Sequence, residues 1–167
     1  MTDSTSILTV ADEREVVTSI ARRALEVTAP DELVLFDDTT ADYFRNPRAT
    51  LDGRDRDESV GFGLDMAMVT PYLIAMATSA VQLLGTIVRD AVQQEGTAGA
   101  AALIRRLFRL SPRGVAAQPQ PAPAPLSVEQ ARYVRDGAVA KGRALGLDDE
   151  KATLLADAIV GGLVVAG

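Results

Sequence analysis

Three aspartates stand close together in FDDTTADYF: Asp37, Asp38 and Asp42. Asp38 and Asp42 are four positions apart and would share one face of a helix, with Asp37 beside them. Gathered carboxylates are what a hard divalent cation such as magnesium binds. A magnesium–diphosphate site would also need a large apolar pocket and a second carboxylate set, and the sequence supplies neither. Aspartates at a helix start, where unpaired N–H groups and the helix dipole favour negative charge, are the simpler account. A second acidic group lies in LDGRDRDESVGFG, with Asp52, Asp55, Asp57 and Glu58. A calcium loop needs ligands at alternating positions, a central Gly and a final Glu. This spacing does not match, and Arg54 and Arg56 set positive charge among the carboxylates.

Nucleophilic chemistry fares no better. The chain has no His and no Cys, so it lacks the commonest general base, the commonest zinc ligand, any thiolate and any disulfide. A serine–lysine pair could draw only on Lys141 or Lys151, both in expected tail helices with no sign of a pocket. Gly61 and Gly63 flank Phe62 in a segment too short for a phosphate-binding fingerprint, and Asp65 disfavours an anion there. The reading is a non-enzymatic chain with no catalytic residue, no cofactor and no metal site.

Composition narrows the class further. The 167 residues suffice for one compact domain or two very small ones. They are 47% apolar but only 4% aromatic, without Trp, so Ala, Val and Leu must do the packing. The net charge of −6 is unevenly spread. Residues 1–65 carry 15 acidic and 7 basic side chains, a balance of −8; residues 66–167 carry 8 and 10, a balance of +2. An acidic front half makes a poor nucleic-acid binder. MTDSTSILTV shows no basic stretch followed by an apolar one, so no cleaved signal peptide is expected.

The expected fold is all-α: a small helical bundle around a long uncharged central helix, with a C-terminal helical hairpin after a Pro/Ala linker. In ADEREVVTSIARRALEV, Val16, Val17, Ile20, Ala21, Ala24 and Val27 mark one helical stripe, with Asp12, Glu13 and Glu15 near the start. Thr9 is a candidate cap. Pro30 suits the first turn of a second helix, although LVLF at 33–36 also reads as a short strand. Thr39 or Thr40 could restart a helix that ends before Asn46–Pro47. The charged stretch 48–63 reads as a solvated loop. Residues 1–110 form the main domain, with an amphipathic cationic helix over 98–110, and 111–126 is the semi-rigid linker. In the hairpin, 127–167, Ser127 and Gln130 form a capping box, Gly146 ends the first helix, and Asp148, Asp149 and Glu150 begin the second. The small pairs Ala138/Gly142 and Ala158/Gly162 would let helices approach closely, and mark the hairpin as a means of self-association or protein-partner binding.

The dominant feature is residues 66–88, a stretch without one charged side chain. As a helix it would span about 34 Å, against a hydrocarbon core of roughly 30 Å. Its eight Val, Ile and Leu residues favour insertion by roughly 2 to 5 kcal/mol, offset by Pro71, Gln82, Gly85 and four Ser and Thr residues. Pro71, Ala75, Thr78, Ser79, Gln82 and Thr86 share a mildly polar face; larger apolar residues take the other. A soluble surface helix would carry Lys, Glu or Arg outward. This one must be wrapped by lipid or by neighbouring protein, and small residues on one stripe are typical of helix packing in membranes. Leu103, Ile104, Leu107 and Phe108, with Arg105, Arg106 and Arg109, have the composition of a helix in a headgroup layer.

The leading expectation is therefore a lipid bilayer as partner: a membrane-associated helical protein on the cytoplasmic side, with the hairpin recruiting a protein. Basic residues after the span would keep its C-terminal side cytosolic. That orientation would carry the acidic front half across with no signal peptide, which fits conditional insertion better than a permanent span. The alternative is a soluble cytoplasmic adaptor or regulatory subunit whose uncharged helix is the buried core.

Overall fold

A computed structural model describes residues 10–52, 68–95 and 126–165. Every element among them is helical: α1 (Val10–Thr28), a 3-10 helix (Pro30–Leu35), α2 (Phe36–Arg45), α3 (Pro47–Asp52), α4 (Thr70–Glu95), α5 (Val128–Ala144) and α6 (Asp149–Val165). The all-α expectation holds. Thr9, the expected cationic helix over 98–110 and linker residues 111–125 lie outside the described residues.

Local chemistry accounts for the boundaries. The Pro30–Leu35 segment is not a strand. Proline at its start fixes φ in the helical range, and no partner strand is present among the described residues to satisfy an extended backbone. Thr39 and Thr40 do not open a helix; they lie buried inside α2, which begins at Phe36. The end at Asn46 before Pro47 is as expected. Residues 48–52, expected as loop, belong to a short helix led by Pro47 at a position where a missing N–H costs nothing. The uncharged helix starts at Thr70 rather than at Met66, putting Pro71 in the first turn, where it is best tolerated. It also runs beyond Val88 to Glu95, because Arg89, Ala91, Gln93, Gln94 and Glu95 are residue types of high helix propensity.

The hairpin matches its reading closely. The Ser127 side chain accepts from Gln130 N at 3.1 Å, and Ser127 N donates to Gln130 Oε1 at 3.0 Å. At the other end Gly146 N donates to Arg143 O (2.9 Å) and Leu147 N to Gly142 O (3.1 Å), with Gly146 at φ +89°. That pair of bonds around a left-handed residue is a Schellman stop, and only Gly enters that backbone region without strain. Asp148 caps α6 through Lys151 N at 2.8 Å. Arg135 on α5 is bonded through two nitrogens to Asp157 on α6, fixing the two helices side by side.

The core is shared. α1 packs on α4, α4 on α5, α5 on α6, and α6 back on α1, closing a ring of four helices; α2 and α3 lie against α4. One apolar cluster draws Val17, Ala21 and Leu25 from α1, Leu73, Met76 and Leu84 from α4, Val134 and Ala138 from α5, and Leu155, Ile159 and Leu163 from α6. On α1, Val27 at one edge of the expected stripe is 79% exposed, while Leu25 at the opposite edge is fully buried.

Candidate functional site

The features with functional content centre on α4. Much of its greasy face is wrapped by protein: Leu73, Met76, Ala77, Ala80 and Leu84 have no exposed surface, nor has the neighbouring Ile74, while Leu83 and Ile87 are partly buried. The mildly polar face changes along its length. Pro71 and Ala75 are buried, Thr78, Ser79 and Thr86 are partly buried, and Gln82 is exposed. Its hydroxyls turn inward on their own helix: Thr78 Oγ1 donates to Ile74 O at 2.8 Å and Thr86 Oγ1 to Leu83 O at 2.6 Å. Such local bonds let a hydroxyl sit in an apolar setting without an outside partner. By length and hydropathy Thr70–Asp90 is the one helix among the described residues able to cross a membrane, with a mean hydropathy of 1.5. Length and hydropathy do not separate such a span from the core helix of a soluble bundle.

A carboxylate from another element holds the start of α4. Glu32, in the 3-10 helix, accepts from Val69 N at 2.7 Å, Thr70 N at 2.9 Å and Thr70 Oγ1 at 2.6 Å. The first backbone N–H groups of a helix have no partner within it, and the positive end of the dipole favours a negative acceptor. Glu32 meets both needs from 37 and 38 residues upstream. No short-range sequence pattern signals this contact, and it was not among the sequence candidates. At the start of α2, Arg22 from α1 lies over the buried Phe36 ring, 4.5 Å from its centroid, and pairs with Asp37.

The aspartate cluster is dispersed rather than convergent. Asp37 is taken by Arg22, and Asp42 by Arg45 at 2.7 Å. Among the described residues no group of three or more His, Cys, Asp or Glu comes together. A cleft of about 160 Å³ opens where α1, α2 and α4 meet, lined by Glu13, Arg14, Val17, Phe44 and Thr78. Arg14 sits over the Phe44 ring, 5.3 Å from its centroid, and Phe44 meets Tyr43 edge-on. Burial pushes the Tyr43 hydroxyl above its usual pKa, and a hydrogen bond with the Thr78 side chain works against that shift. The cleft presents one carboxylate and one guanidinium, and its Thr78 hydroxyl donates to the Ile74 carbonyl of its own helix.

The small residues of the hairpin serve contacts within the chain. Ala138 and Gly142 are buried on α5. A Cβ on Gly142 would stand 3.0 Å from Ala152 Cβ and 3.2 Å from Met76 Sδ, so this position brings α5 against α4 and α6 together. Gly162 faces Ile20 and Arg23 of α1, and Ala158 is partly buried. Outward on the hairpin stand Val128, Tyr133 and Leu154, each more than half exposed. Leu103, Ile104, Arg105, Arg106, Leu107, Phe108 and Arg109 lie outside the described residues.

Comparison with protein-family models, with curated proteins and with solved structures finds no match to this chain.

Proposed function

We propose that this chain is a non-enzymatic helical adaptor: a bundle built around its uncharged helix, with the C-terminal hairpin completing the core and offering its outer side to a protein partner or a second copy. The observation that carries this reading is the wrapping of α4 by α1, α5 and α2, with Leu73, Ile74, Met76 and Leu84 removed from water. A helix without charges needs cover on all sides, and most of that cover is protein. The outward Tyr133 and Leu154 support a role for residues 127–167 in partner binding, since aromatic and aliphatic anchors dominate the energy of interfaces. The adaptor is expected in the supernatant after alkaline carbonate treatment of cell membranes, and to sediment as a discrete species without detergent. Retention in the carbonate-washed pellet would overturn it.

A second reading is favoured by one specific observation. Thr70–Asp90 is 21 residues long, apolar enough to cross a bilayer, and only 56% buried in the bundle. In this reading the folded bundle stores α4, which inserts into a membrane when the bundle opens. Liposome leakage would then distinguish a simple anchor from a pore former.

A further inference from the structure

We propose that the Glu32 carboxylate is the clamp that holds α4 in the bundle, and that its release lets this helix enter a lipid bilayer. The inference rests on the second, membrane reading above. It begins from what α4 would exchange on leaving the protein. Its contacts through Leu73, Ile74, Met76, Ala80 and Leu84 are apolar, and acyl chains can replace them with little net change. The Thr78 and Thr86 hydroxyls bond to carbonyls of α4 itself, so those bonds travel with the helix. The Glu32 bonds do neither. They are three directional bonds to an ionised group on another element, and no acyl chain can stand in for them. Nor can Glu32 follow α4 into hydrocarbon without its charge entering too. Glu32 thus distinguishes the bundle from the bilayer where most other contacts of α4 do not.

The clamp is testable because loss of Glu32 and general loss of stability make different predictions. The chain has no Cys, so Gln82→Cys, at an exposed position on α4, gives a unique site for a polarity-sensitive dye. Full-length protein carrying this label would be mixed with vesicles of equal parts phosphatidylcholine and phosphatidylglycerol. Glu32→Gln would be compared with Val134→Ala and Ile159→Val, core changes on α5 and α6 that leave the Glu32 bonds in place, chosen to bracket its stability in urea. Glu32→Gln is expected to raise the fraction showing the bilayer emission shift about tenfold over the bracketing variants at matched stability. If the core variants insert as readily as Glu32→Gln, the membrane reading stands and the clamp is wrong. If no variant inserts, even in urea at its unfolding midpoint, the membrane reading fails and the clamp with it.

Discussion

At the residue scale, two glycines of the hairpin illustrate how the same residue type serves different ends. Gly142 lies where α4, α5 and α6 converge, with Ala152 Cβ only 3.0 Å from where its own Cβ would be. The Met76 side chain could swing aside, but the Ala152 Cβ is fixed to its helix. Gly142→Val should therefore cost about 2 kcal/mol through overpacking. Gly161, on the exposed side of α6, has nothing within 4 Å of its Cβ position. Its cost is that of any Gly inside a helix, so Gly161→Ala should raise stability by about 0.5 to 1 kcal/mol. Urea denaturation of both variants checks the pair. Equal effects would mean that the close approach at Gly142 is absent in solution. The sequence marked Gly142 as small and helical, but only the fold shows which neighbours crowd it.

At the scale of the element, α4 separates what local sequence determines from what it does not. The lack of charge over 66–88 and the placing of hydroxyls on one side were legible from the residues alone; in the fold that side runs from the buried Pro71 and Ala75 to the exposed Gln82. What covers it was not, because a lipid chain and a leucine present the same surface to an apolar side chain. The two faces make a sharp test. Ala80 has no exposed surface, so Ala80→Arg buries an unpaired charge and should cost about 3 kcal/mol or more. Gln82 faces solvent, so Gln82→Glu should change stability by no more than about 0.5 kcal/mol. Thermal melts that show the same loss for both would mean that the Gln82 side is covered as well. Elsewhere, legibility followed the range of the signal. The Ser127–Gln130 box, the Gly146 stop and the Asp148 cap each lie within a few residues, and all three were readable. Residues 47–52 were too few for a helical period to register, and LVLF too few to choose between periods. The Glu32 cap of α4 was hidden because its partners lie far along the chain.

For the whole molecule, the consequence of the four-helix ring is that the hairpin supplies part of the core that α4 needs. Taken alone, residues 127–167 look like an appended module after a Pro/Ala linker, and so short a hairpin would bury little core of its own. In the fold its inner face meets Met76 of α4 and Ile20 of α1, and Val134, Ala138, Ile159 and Leu163 join the same cluster. Removing it would uncover the Met76 and Ile20 sides of α4 and α1 at once. A chain ending at residue 126 should therefore lose its cooperative thermal transition and bind a hydrophobic dye, while keeping much of its helical signal, as a state with secondary structure but no fixed packing does. A truncated chain that melts as sharply as the full one would show that the ring is not cooperative and that the hairpin docks as a separate unit. This outcome also bears on the adaptor reading. A hairpin that completes the core can offer a partner only its outer side, where Tyr133 and Leu154 stand, so Leu154→Glu should leave the melting transition unchanged while weakening any association made through residues 127–167.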